Sequence, residues 1–135
     1  MKYNENNDIE VIKKENPEID FFDFVPHKGI ISFLRGFDVL VLPSYREGLP
    51  RIALEASSCG PILLLSDVPG CRECIDNEKN GFLFKPMNIL SLSKQIDLLI
   101  SCRHKLPEMS FHSYQFFNSN FTEDKIFSQY KNLLI

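Results

Sequence analysis

The sequence predicts an α/β fold: a Rossmann-like parallel sheet flanked by helices, with a helical C-terminal tail. Three observations predict it. Phe37–Leu42, broken only by Asp38, and Ile62–Leu65 are apolar runs of strand length, as expected of strands buried on both faces of a parallel sheet. Helix-period stretches alternate with such runs in the order strand, helix, strand, loop, helix, strand. Gly36, Gly60-Pro61 and Pro86 stand where those elements should stop.

Residues 1–20 form an acidic segment, expected to be helical, in which Glu5, Asp8, Glu10, Glu15, Glu18 and Asp20 outnumber Lys2, Lys13 and Lys14. A solvated face is the simplest account of it. Residues 21–105 make the core and 106–135 the tail. Phe21–Val25 reads as a short strand ending at Pro26. His27–Gly36 reads as a helix with Ile30, Ile31, Phe33 and Leu34 on its apolar side. Pro43–Pro50 is a loop, Arg51–Cys59 a short helix and Ile62–Leu65 the next strand. Asp67–Gly70 reads as a turn, with a helical turn at Arg72–Asp76. Asn77–Gly81 is a loop, and Gly81–Phe84 a strand. Ile89–Ser101 carries Leu92, Ile96, Leu99 and Ile100 at helical spacing. The last helix opens at Thr122 as N-cap, with Glu123 and Asp124 at the positive end of its dipole. Phe121 is placed to staple onto Ile126. Ile126, Phe127, Tyr130, Leu133 and Leu134 then form one stripe.

Composition narrows the function classes. The chain has 135 residues, 44% of them hydrophobic and 24% charged, which suits one globular domain rather than a disordered chain. The net charge of −3 lacks the basic footprint of a nucleic-acid binder, so no nucleic-acid partner is expected. No apolar run reaches the ~18 residues of a membrane span, and Met1–Asn7 does not read as a signal peptide. Cys59, Cys71, Cys74 and Cys102 are therefore expected to be reduced thiols in a cytoplasmic protein. Cys71-Arg72-Glu73-Cys74 is a single C-x-x-C pair, short of the four ligands of structural zinc, so no metal is expected. His27, His104 and His112 form no readable catalytic arrangement.

The loop after Leu42 carries the chemistry. In an open α/β sheet, ligands bind beyond the carboxyl ends of the strands. Here that loop runs Pro43-Ser44-Tyr45-Arg46-Glu47-Gly48-Leu49-Pro50 into a helix. Pro50 suits the first helical position. The unpaired N–H groups of the first turn, with the helix dipole, make an anion site fit for a phosphate or diphosphate. Gly48 lets the backbone come close to a ligand. Glu55 lies ~7.5 Å further along the helix axis. It shares a face with Ile52, Ala56 and Cys59, so it should be partly buried and need a hydrogen-bond partner. The paired hydroxyls of a ribose or hexose would serve. Two readings stay open on spacing alone: a sugar-nucleotide site, or an exposed Glu55 beside a loop charge at Glu47.

Ser44-Tyr45-Arg46-Glu47-Gly48-Leu49-Pro50-Arg51, then Leu54-Glu55-Ala56 and Cys59-Gly60-Pro61, resembles the donor-site segment of retaining glycosyltransferases of family 4. Glu47 and Glu55 match that family's pair of glutamates separated by seven residues. Ser66–Glu73 and Asn80-Gly81-Phe82-Leu83 match a second segment, common in members that build capsule, O-antigen and other bacterial surface glycans. The likeness runs from Phe21 to Leu134.

The resemblance implies the C-terminal, donor-binding half of a GT-B fold. It implies that Glu47 holds the transferred sugar and is the catalytic residue. The backbone of Gly48, Leu49 and Pro50 would meet the sugar and diphosphate, with Ser44 and Arg46 in the same loop. Glu55 would accept the ribose hydroxyls, and Pro26 and His27 would lie near the base. The donor would be a UDP- or GDP-linked sugar, with no other cofactor. A hexosyl unit would pass, with retention, to a glycan or lipid-linked acceptor. Such acceptors are compatible with peripheral association at the inner face of the membrane.

The family's acceptor-binding N-terminal half has no counterpart here, nor do the first strands and Gly-rich segment of its donor half. The chain is therefore expected to be a truncated piece with little transferase activity alone. A non-catalytic nucleotide-binding or interaction module derived from such an enzyme is the alternative. A signalling receiver fits less well, because Asp20, Asp23 and Asp38 do not supply its acidic pair.

Overall fold

The computed structural model describes residues 5–76 and 78–133. Its centre is a three-stranded parallel sheet of β1 (Val39–Leu42), β2 (Ile62–Ser66) and β3 (Gly81–Phe84) in the order β1-β2-β3. Val39 pairs with Ile62, and Leu63 with Gly81. Every residue of β2 is buried. Successive side chains of a strand point to opposite faces. Leu63 and Leu65 join Leu34, Ala53, Ala56, Val68, Cys71 and Cys74 in one apolar cluster. Ile62 and Leu64 join Phe82, Phe84, Leu99 and Met109 in the other. Burial on both faces is what the continuous apolar run of β2 predicts; β1, expected to be buried likewise, is half-buried with Val41 exposed, because it is an edge strand of the described sheet. At ~1.5–3 kcal/mol per buried aliphatic side chain, the four of β2 contribute on the order of 6–12 kcal/mol, an upper bound.

Helices α1 (Glu5–Glu15), α2 (Ile30–Leu34), α3 (Arg51–Cys59), α4 (Pro69–Arg72), α5 (Ile89–Ser101), α6 (Leu106–Asn120) and α7 (Glu123–Leu133) accompany the strands, and α3, α5 and α6 pack on the sheet. Helix α3 ends at Gly60, whose φ of 131° few other residues adopt. Helix α5 is capped by Asn88, whose side chain accepts from the Ser91 N–H at 2.8 Å. Helix α6 packs on α3 and β2. Thr122 precedes α7, and its carbonyl accepts from the Ile126 N–H at 3.0 Å. Of the terminal stripe, Leu134 lies outside the described residues, as does the side chain of Tyr130; Asn77 of the expected loop does too.

Four expectations need correction. Phe21–Val25 is not a strand. An extended segment becomes a strand only when a neighbour pairs with its backbone, and this one has no partner in the described sheet. Its aromatic side chains pack locally instead. Phe22 meets Phe33 edge-on at 4.9 Å between ring centroids, and Phe33 meets Phe37 at 5.0 Å. The helix expected over His27–Gly36 is a 3-10 turn at His27–Gly29 followed by the short α2. The helical turn expected at Arg72–Asp76 begins earlier, at Pro69. Proline opens it because its fixed φ and missing N–H suit a first turn. Pro50 is the N-cap of α3 rather than its first residue.

Candidate functional site

Because the sheet is parallel, the segments leaving Leu42, Ser66 and Phe84 emerge along one edge. The segment after β1 holds most of the candidate residues. Ser44 and Glu47 are half-buried, while Arg46, Gly48 and Leu49 are exposed and Pro50 is buried. The Ser44 hydroxyl donates to Glu47 Oε1 at 2.6 Å. This short charge-assisted bond holds the carboxylate against its own loop. Leu49 reaches the rim of a cavity of about 490 Å³ whose walls include Glu73, Phe116, Phe121 and Ile126. Among the described residues, the Arg51 and Ile52 amides have no recorded acceptor, whereas Ala53 and Leu54 both donate to the Pro50 carbonyl. The first turn of α3, expected from the sequence to face an anion, thus keeps two amides without a main-chain partner among the described residues.

Glu55 is as enclosed as its helical face predicts. Its side chain is 16% exposed, and its neighbour Ala56 is fully buried. The partner it needs is supplied by the protein. Arg51 Nε donates to Glu55 Oε1 at 3.1 Å, and His27 Nδ1 lies 3.3 Å from the same oxygen. An Arg51 terminal nitrogen is 2.6 Å from His27 Nε2. Arginine can only donate, so Nε2 accepts and Nδ1 carries the proton toward Glu55. The three side chains close a ring that engages Oε1. Oε2 has no protein partner among the described residues.

The structure therefore brings His27 to Glu55, and Ser44 to Glu47. Pro26 sits just before His27, capping the 3-10 turn. Arg51 is the member that sequence reasoning missed. The signal was present: Arg51 stands four residues before Glu55 on one helix, where opposite charges meet.

The C-x-x-C pair lies beneath this loop, not in it. Cys71 and Cys74 are buried in the core. Burial, and then Glu47, push the Cys71 thiol up to about 11. Burial, Cys71, Glu73 and Glu47 push Cys74 up to about 12. Burial chiefly raises Cys59 as well. Such thiols stay protonated and inert.

Comparison with known proteins settles the family. The model for "Glycosyl transferases group 1" matches residues 5–114. The chain belongs to the group 1 glycosyl transferases. Over 97 residues it is 36% identical to the N,N'-diacetylbacillosaminyl-diphospho-undecaprenol alpha-1,3-N-acetylgalactosaminyltransferase of Campylobacter jejuni, a match spanning 65% of this chain and 26% of that protein. Sucrose-phosphate synthase from Thermosynechococcus elongatus superposes with a TM-score of 0.83 at 22% identity, over 96% of this chain and 33% of that one. The Anabaena protein HepE, crystallised with UDP-glucose, superposes at 0.78 and 19% identity, over 98% and 38%. These solved neighbours place the fold with the C-terminal domains of GT-B glycosyltransferases. The group 1 chain spans a quarter to two-fifths of the length of these relatives. Among the described residues, no helix is long and apolar enough to cross a membrane.

Proposed function

We propose that this chain binds a nucleoside-diphosphate sugar across the Ser44–Glu55 segment, as the donor half of a retaining hexosyltransferase. The observation that carries the reading is the joint geometry of the two glutamates. Glu47 is tethered in the loop by Ser44, and Glu55 sits behind it on α3 with one carboxylate oxygen open. Between them in sequence lie the amides of Arg51 and Ile52, which have no main-chain partner among the described residues.

In this reading Oε2 of Glu55 accepts from the ribose hydroxyls, and the amides of α3 meet the diphosphate. Arg46 and Arg51, both exposed, add positive charge beside it. Glu47 and the Gly48 backbone hold the transferred sugar. In the reaction the sugar C1–O bond to the diphosphate breaks. A new C1–O bond forms to an acceptor hydroxyl on the same face, and that hydroxyl gives its proton to the departing diphosphate oxygen. Fixed amide dipoles and guanidinium groups aimed at the departing diphosphate supply the main catalytic effect, and no metal is invoked. The acceptor is a glycan or a lipid-linked saccharide, in surface polysaccharide synthesis at the cytoplasmic face of the membrane. The Campylobacter relative, named for a diphospho-undecaprenol acceptor, supports that class. Isothermal calorimetry with UDP, GDP, UDP-glucose, UDP-N-acetylgalactosamine and GDP-mannose tests the reading. Saturable one-site binding of one nucleotide series is expected, and no binding of any would overturn it.

A further inference from the structure

We propose that Gly70 is a positioning residue for the donor loop: its missing side chain lets α4 seat against the Glu47–Gly48 peptide and fixes where that peptide meets the sugar. The inference rests on the reading of Glu47 and Glu55 as a donor site.

A Cβ placed on Gly70 would overlap the carbonyl oxygens of Glu47 and Gly48, and would stand 2.5 Å from the Gly48 carbonyl carbon. The requirement is for space alone, because Gly70 is not among the residues with positive φ. Which side yields is decided by how each is held. Helix α4 cannot retreat. Val68, Cys71 and Cys74 belong to the buried cluster under the sheet, and the Cys74 thiol lies 3.8 Å from the Gly70 carbonyl. The loop can move. Among the described residues, Ser44 to Leu49 make no recorded backbone hydrogen bond to other main-chain groups. The internal tether of this stretch is the Ser44–Glu47 bond, which fixes the carboxylate to the loop but not the loop to the sheet. Gly70 is the floor on which the loop rests. That Glu47 helps to raise the buried thiols of Cys71 and Cys74 agrees with this closeness.

A methyl group at position 70 pushes the Glu47–Gly48 peptide outward by about 1 Å, a displacement that can cost ~10²-fold where a reacting group must be placed. Glu55 is untouched, because α3 is anchored separately through the buried Ala53 and Ala56. Loss should therefore fall on the sugar, not on the nucleotide.

The test compares Kd for the free nucleotide with Kd for its sugar forms (UDP with UDP-glucose and UDP-N-acetylgalactosamine, or GDP with GDP-mannose, whichever series the unaltered chain binds) in the full chain, Gly70→Ala and Gly81→Ala. Gly81 is the control: a Cβ there would overlap the Leu63 carbonyl inside the sheet. Gly70→Ala should erase the preference for the sugar-linked over the free nucleotide, within about threefold, and leave the free nucleotide's affinity unchanged. Its amide NMR shifts should change most at residues 46–49. Gly81→Ala should keep the preference. An unchanged preference in a folded Gly70→Ala overturns the proposal. If the unaltered chain binds none of these nucleotides, the donor reading fails; in that case, or if it binds them without a sugar preference, the amide shifts alone decide on Gly70: clustering at 46–49 supports positioning, and an even spread overturns it. Should Gly70→Ala not fold, Cys74→Ala loosens the seat of α4 without a clash. A partial loss of preference there supports the proposal and an unchanged preference contradicts it.

Discussion

Replacing Asn80 with alanine should destabilise the chain more than its place at a loop end suggests. Asn80 is fully buried. Its Oδ1 accepts from the Asp76 N–H at 2.8 Å, and its Nδ2 donates to the Cys74 carbonyl at 2.8 Å. Alanine removes both bonds and leaves two main-chain groups unpaired. A buried unsatisfied group costs about 1–3 kcal/mol. The Cys74 carbonyl lies in the buried core and should take the full penalty, while the half-buried Asp76 amide can recover part of it from water. The expected total is about 2–4 kcal/mol, against a domain stability on the order of 5–15 kcal/mol. Urea unfolding followed by far-ultraviolet circular dichroism measures it, since the chain has no Trp to serve as a fluorescence probe. Asn80→Asp is the companion variant. It keeps the acceptor for Asp76 but loses the donor to Cys74 and buries a charge, so it should be at least as unstable. A loss below about 0.5 kcal/mol in Asn80→Ala would refute the reasoning, since that is the size of an ordinary surface change.

Three further outcomes follow from the same geometry. Cys71 and Cys74 have folded-state pKa values raised from 9.0 to about 11 and about 12. A raised pKa means the folded state favours the protonated thiol. The resulting stability is complete below pH 9 and is lost as pH rises through 11 and 12. Unfolding free energy measured from pH 8 upward should fall over that window, and a Cys71→Ala, Cys74→Ala double variant should flatten the fall. Titration with a thiol-reactive disulfide should label Cys71 and Cys74 in urea and spare them in the native chain; rapid native labelling would contradict their burial. Arg51→Ala removes an ion pair whose arginine is largely exposed and leaves Glu55 its His27 partner, so the stability cost should be ~0–1 kcal/mol. Its thermal midpoint should hardly move, while UDP affinity falls and becomes less dependent on salt.

The fold was legible where one physical signal dominated. The apolar runs of β1 and β2 and the Gly60-Pro61 stop marked two of the three strands and the end of α3. Ile89–Ser101 was readable to the residue because its periodicity is helical throughout, and the Asn88 cap in the structure fixes its start. Phe21–Val25 misled because strand formation depends on a partner elsewhere in the chain, which local composition does not report. Pro69-Gly70 read as a turn because the same dipeptide serves turns and helix starts. At the site, the enclosure of Glu55 followed from helical spacing. Its ring with Arg51 and His27 did not, since His27 reaches it from 28 positions away in sequence (55 − 27). Nothing local marked Gly70 as the floor of the Glu47 loop, because that closeness exists only once α4 docks.

The most direct test of the account is the affinity of Glu55→Gln for UDP or GDP, whichever the unaltered chain binds, measured by calorimetry beside a distant control such as Glu108→Gln. Hydrogen bonds to a charged acceptor are worth about 1.5–3 kcal/mol, or roughly 10- to 150-fold in Kd. The account predicts a loss in that range for Glu55→Gln and none for the control. Equal affinity in the two variants would contradict it.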